Sequence, residues 1–308
     1  MFPYSVKVLF RPTRARRTAM VGVVALTAAG LTELVLRGLL GGDGNAQDLL
    51  LGAQAPTVTH PFGTDVLGRD ELLRVLQGGR TSLGIVGGAS LISVLVGLPV
   101  GALVAHLPGQ RQRLSQRLLE LAGALPYLIL VIVLMLAVRA LRTAAGEYGL
   151  PSPLLHPAVS LILSLGIGQS LVVARVVQAE MQTLLTTDFY LHVRLQGQGT
   201  LRAFTHTLLP NCAAVIVAYG VIGIPGLLFA EAFLSFLGFG LESPQLSWGM
   251  LISEGRRSMA VFPWLLAFPA LFLSGLCLVT YLLGEALREQ LSHFRVGVIR
   301  PAQNRDVS

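Results

Sequence analysis

Glu231 stands inside the apolar run LLFAEAFLSFLG, four residues before Ser235. A carboxylate at membrane depth is costly and usually faces a protein interior or a water-filled cavity. Glu231, with Ser235 and then Trp248, is therefore a candidate for lining a pathway or pinning a gate; the alternative is a structural pair with an arginine such as Arg257. A second constellation, HPFGTDVLGRDELLR over 60–74, sets Asp65 before Arg69 and Asp70 before Arg74 at i, i+4. That spacing suits a short external helix capped at Thr64–Asp65, each pair contributing tenths of a kcal/mol. The third is DFYLHVRLQGQGTLRAFTHTLLPN at 188–211. Asp188 caps a helical run that passes Tyr190 and Arg194 and ends near Gly197 and Gly199. A second run then sets Leu201, Phe204, Leu208 and Leu209 on one face. This amphipathic helix-turn-helix either lies on lipid or fits a groove on a partner.

Other chemistry is missing. A phosphate-binding loop ends in Gly-Lys-Ser/Thr, and the one lysine is Lys7, preceded by Val6. The chain is thus not itself an ATPase. It has neither a Gly-x-Ser-x-Gly elbow nor a His-Glu-x-x-His motif, and no two of its six histidines stand at a helical ligand spacing. No catalytic or metal site is expected, and Met135, Met181, Met250 and Met259, which form no stripe, are expected to pack.

The elements that must position these residues are membrane helices. Hydrophobic residues make up 53% of the 308 and charged residues 13%, with mean hydropathy +0.68, far from a soluble composition. The basic residues, net charge +7, are spread over short connections, which speaks against nucleic acid as a partner. Six segments are apolar over the length a bilayer requires: 18–40, 82–106, 116–138, 155–178, 212–237 and 262–286. The first outlasts a signal-peptide core. With the N-terminus inside, fifteen of the 23 Lys and Arg fall on inner segments, so both termini are expected in the cytoplasm. The resulting division is a tail 1–17, a first span 18–40, an extracytoplasmic segment 41–81, a five-helix core 82–286 enclosing the cytoplasmic loop 179–211, and a tail 287–308. Gly84/Gly88 and Gly97/Gly101 permit close helix approach on the second span. Glu33, Glu120 and Glu285 lie nearer span ends.

The insert resembles the coupling loop of binding-protein-dependent ABC importers, whose pattern runs roughly D-Y-x-x-A-A-R-x-x-G and closes with L-P-N. Asp188, Arg194, Gly197 and Leu209-Pro210-Asn211 match, with Phe189 in the aromatic slot and Tyr190 displaced from it by one; the Glu-Ala-Ala core is replaced by Leu191-His192-Val193. Residues 60–82 resemble the H-P-x-G-T-D-x-x-G-R-D block of peptide and nickel importer permeases. Residues 231–256 resemble the same family's E-x-x-L-S-F-L-G-x-G and S-W-G blocks. The resemblance implies an all-α transmembrane protein with the six-helix type I ABC importer permease fold, in the second-permease subunit of a bacterial inner-membrane system for dipeptides, oligopeptides, nickel or metallophores. It also implies a related permease, two ABC ATPases that bind ATP and Mg, and an extracytoplasmic binding protein. A secondary transporter is the more distant reading; it calls for broken, repeated helices with polar mid-span residues, which are not evident. A permease-like scaffold that no longer transports is a third.

Overall fold

A computed structural model describes residues 43–147, 156–187, 190, 209–241 and 245–299. The expected tail 1–17, the first span 18–40 and most of the 188–211 insert lie outside the described residues. The described elements are α1 (Glu71–His106), α2 (Gly109–Ala122), α3 (Tyr127–Glu147), α4 (Pro157–Leu185), α5 (Leu209–Phe236), α6 (Trp248–Ser258) and α7 (Trp264–Ile299). Among the described residues there is no strand, only an isolated Thr64–Asp70 bridge. Among the described residues four helices are long and apolar enough to cross a membrane: α1, α4, and the stretches Ile216–Phe236 of α5 and Trp264–Arg288 of α7.

The third expected span, 116–138, does not exist as one helix. The chain breaks at Gly123–Pro126, and α2 and α3 meet at 91°. Proline supplies no backbone N–H and disfavours helix in the residue before it, so Pro126 ends what precedes it and opens α3. The apolar count had joined two unlike pieces: α2 carries Arg111, Arg113 and Arg117, whereas α3 is apolar from Tyr127 to Val138. Its 21 residues reach about 31 Å, close to the thickness of a bilayer core.

The other helices overrun their expected limits. α1 begins at Glu71, not 82, because the Asp70 carboxylate accepts from the N–H groups of Leu72 and Leu73 and caps the helix there. Asp70 Oδ2 meets His60 Nδ1 at 2.8 Å. The expected external helix capped at Thr64–Asp65 does not form. Residues 43–70 instead make turns whose polar groups are satisfied locally: Thr64 Oγ1 donates to Gly52 O at 2.7 Å and accepts from Gln54 N at 2.8 Å. Phe62, stacked on Phe268 at 4.0 Å, and Trp264, whose Nε1 donates to Thr64 O, hold this segment to α7.

α1 and α4 make the most extensive helix contact. It is closest at Gly97 and Gly101, where a Cβ would collide with Ser170 and Val173, and with Ala174 and Val177, respectively. The earlier glycine pair behaves differently: Gly88 meets Ile162, but Gly84 faces open space. One apolar core joins α1, α3, α4, α5, α6 and α7 toward the 43–70 end, through residues such as Ile85, Met135, Leu165, Leu228, Leu251 and Leu273. A second lies toward the opposite end, around Ala105, Val177, Met181, Cys212 and Ile216. Met135 and Met181 are buried core residues; Met259 is exposed.

Gly101→Leu should lower the unfolding midpoint of the detergent-solubilised protein, overpacking here costing about 1–3 kcal/mol. Gly84→Leu should leave it near wild type. Equal loss in both would show that the close α1–α4 approach is not what the glycines provide.

Candidate functional site

At the 43–70 end of the bundle, Glu231 is wholly buried on α5. Its Oε2 accepts from Ser82 Oγ of α1 at 3.2 Å and its Oε1 from Ser235 Oγ at 3.0 Å. Ser82 Oγ also accepts the backbone N–H of Trp248, at 3.1 Å. The carboxylate thus ties α5 to α1 directly and to the start of α6 through Ser82. No arginine bonds to it among the described residues, so the alternative of a structural pair with Arg257 is not the one made. The group contacts protein on every side rather than an open cavity of this chain.

Local sequence explains the arrangement. Ser247 is the N-cap of α6, its Oγ accepting from Met250 N. The Trp248 indole donates to Val75 O at 2.8 Å and lies on Gly79, where a Cβ would enter the ring. Gly238, with φ of +84°, ends α5: Phe239 N donates to Leu234 O and Gly238 N to Ser235 O, the bonds of a left-handed cap that favours glycine. The chain there turns toward α6.

The second cluster sits one layer nearer the end. Asp65 Oδ2 accepts from Arg69 Nε at 2.7 Å and Arg74 Nη1 at 2.8 Å, while its Oδ1 accepts from the Leu67 and Arg69 N–H groups. Arg74 Nη2 reaches Glu254 Oε2 on α6 at 2.6 Å, and Glu71 Oε2 stands 3.7 Å from Arg74 Nη1. The side chains of Arg74, Asp65 and Glu71 are 3%, 4% and 2% exposed. The expected Asp65–Arg69 pair is present, in a turn rather than a helix. The expected Asp70–Arg74 pair is not, because Asp70 is committed to the cap and His60, and Arg74 turns to Asp65 and Glu254. A cavity of about 180 Å³ lies beside the cluster, lined also by Arg257 and Ser258.

Sequence reasoning missed Ser82, Ser247, Glu71 and Glu254. Ser82 is 149 residues from Glu231 and carries no local signal. Glu254 lies on a helix too short and too polar to register as a span. Of the residues expected to form a coupling loop, Tyr190 is buried, its N–H donating to Thr187 O, and Pro210 and Asn211 lie in the first turn of α5. Asp188, Arg194, Gly197, Leu201, Phe204 and Leu208 lie outside the described residues.

These features define a polytopic helical membrane protein whose short helix α6 is tied down by buried polar groups. Residues 97–293 match the family model described as "Binding-protein-dependent transport system inner membrane component", and the chain belongs to that family. It is 34% identical over 242 residues to the oligopeptide transport system permease protein OppC of Haemophilus influenzae, covering 77% of this chain and 72% of that protein. It is 29% identical to OppC of Bacillus subtilis, covering 90% and 86%, and 32% identical to the dipeptide transport system permease protein DppC of that organism, covering 77% and 69%. A solved structure of inward-facing conformations of the MetNI methionine ABC transporter superposes with a TM-score of 0.54 at 17% identity, over 72% of this chain and 96% of that one, and shows the fold, the type I permease fold. The chain is an ABC importer permease subunit, and in this family ATP hydrolysis is carried by separate subunits.

Removing one partner of a buried ion pair costs about 3–5 kcal/mol, so Arg74→Ala should strongly lower the unfolding midpoint, far more than the exposed Arg80→Ala. Glu231→Leu, which strands two or more buried hydroxyls at about 1–3 kcal/mol each, should be worse than Glu231→Gln. A Leu variant as stable as wild type would remove the case for Glu231 as a tie between helices.

Proposed function

We propose that this chain is one of two related permease subunits of an ATP-driven importer that moves dipeptides or oligopeptides from an extracytoplasmic binding protein into the cytoplasm. The observation that carries this reading is its similarity, across 69–86% of their lengths, to proteins named as oligopeptide and dipeptide permeases. The arginine distribution supports an orientation with residues 41–81 outside and both termini in the cytoplasm, in a bacterial inner membrane. The inner segment 179–211 then faces one of two ATPase subunits, which bind ATP and Mg, and the related permease engages the other. Asp188, Tyr190, Arg194 and Gly197 shape its first turn, Leu201, Phe204 and Leu208 form the face that enters an ATPase groove, and Pro210–Asn211 lead into α5.

In this reading the ties at the other end belong to an outer gate. Glu231, Ser235 and Trp248 hold α6 to α1 and α5, and Asp65, Arg69 and Arg74 hold it to the external segment. α5 runs from the coupling loop at Asn211 to the Glu231 tie, so displacement of the loop is delivered along one helix to the gate. Each bound species, ATP or loaded binding protein, favours one of two states of this linkage.

Proteoliposomes holding this chain with its partner permease, both ATPases and binding protein should take up labelled peptide only with ATP. Gly197→Pro and Leu208→Asp should reduce peptide-stimulated ATP hydrolysis roughly tenfold, the scale of an ordinary inter-site coupling. Uptake that follows an ion gradient without ATPases would overturn the reading.

A further inference from the structure

We propose that α2 is an in-plane membrane helix that docks on anionic phospholipid, with an apolar stripe in the acyl region and arginines on the headgroup phosphates. Leu114, Leu118 and Leu121 fall at i, i+4 and i+7, on one face of the helix, and are 62%, 58% and 67% exposed. Arg113 and Arg117 flank that stripe on one side and Arg111 on the other, all exposed. One acidic residue, Glu120, accompanies them on the helix. An apolar stripe edged by arginines is the pattern of a helix lying in the interface.

The rest of the fold holds α2 at that level. It meets α3 at 91°, so if α3 crosses the bilayer, α2 runs along its surface. The face opposite the stripe is the anchored one: Leu119 is buried with Val104 of α1 and Ala174 of α4, and Gln112 Nε2 donates to Ala105 O at 3.2 Å. A Cβ at Gly123, the end of α2, would overlap the Arg175 guanidinium of α4. α1 closes its apolar run at His106 and α4 turns polar from Arg175, which sets the boundary of the hydrocarbon beside α2. The leucines thus point to acyl chains and the arginines to the phosphate layer, where each contributes attraction to anionic lipid.

The test uses the full chain co-purified with its partner subunits in nanodiscs of mixed phosphatidylglycerol and phosphatidylcholine. Leu118→Trp adds an indole to the stripe, and its added emission is compared when either one lipid or the other carries acyl-chain bromines. Brominated phosphatidylglycerol should quench it more strongly at equal mole fraction. Arg113→Gln with Arg117→Gln should reduce that preference roughly thirtyfold. If neither brominated lipid quenches, protein covers the stripe and the proposal fails. Equal quenching by both lipids, unchanged in the double variant, overturns the anionic selectivity. Leu114→Trp repeats the measurement should Leu118→Trp impair assembly. No readout depends on transport, so failure of the peptide-importer reading and failure of this one are separable.

Discussion

The constraint on which the structure turns is that a polar group inside a bilayer must find its partner within the protein. Glu231 meets that constraint in a way that organises its neighbourhood. A carboxylate is acceptor-only when ionised, so it draws hydroxyl donors from wherever the chain supplies them: Ser82 on α1 and Ser235 one turn along α5. Because Ser82 in turn accepts from Trp248 N, losing the carboxylate would disturb three helices. The same demand shapes the arginine cluster, where Asp65 is shared by two guanidiniums and Arg74 by two elements.

Close packing and polar ties divide the labour. Helices in lipid gain little from hydrophobic association, so small residues at an interface bring dispersion contacts into range. Gly97 and Gly101 do this between α1 and α4. α6 is too short and too polar to be held that way alone, and its attachments are directional: a backbone N–H on Ser82, an indole N–H on Val75 O and an ion pair. Directional bonds fix position more sharply than packing and are lost more abruptly when geometry changes.

Much of this was legible in the residues. Apolar length gave α1, α4, α5 and α7, and the spacing of Gly97 and Gly101 gave a real contact. Glu231 was recognisable as a residue needing a partner. Its long-range partner was not, since Ser82 is an ordinary serine until the fold brings it to the carboxylate. The 116–138 segment misled because apolar counting is blind to direction: Leu118, Leu119 and Leu121 add to the sum whether a helix stands up or lies down, and the Gly123–Pro126 break was the better signal. Asp70 and Arg74 misled for a related reason. An i, i+4 spacing states what a helix would allow, whereas Asp70 is the cap before the helix and its carboxylate is already taken by backbone donors.

α1 also has a mechanical property. Arg74 lies 25 residues from Pro99 on a continuous helix, a rod of about 37 Å. A bend of about 5° at the proline would carry the guanidinium sideways by about 3 Å over that arm, enough to stretch the 2.6 Å Arg74–Glu254 contact well past hydrogen-bond reach. The salt-bridged end therefore has no elastic range in which to follow such a bend partway. Either α6 and the 43–70 segment travel with the rod as one body, or the contact parts altogether, which makes this end of the protein a detent rather than a spring.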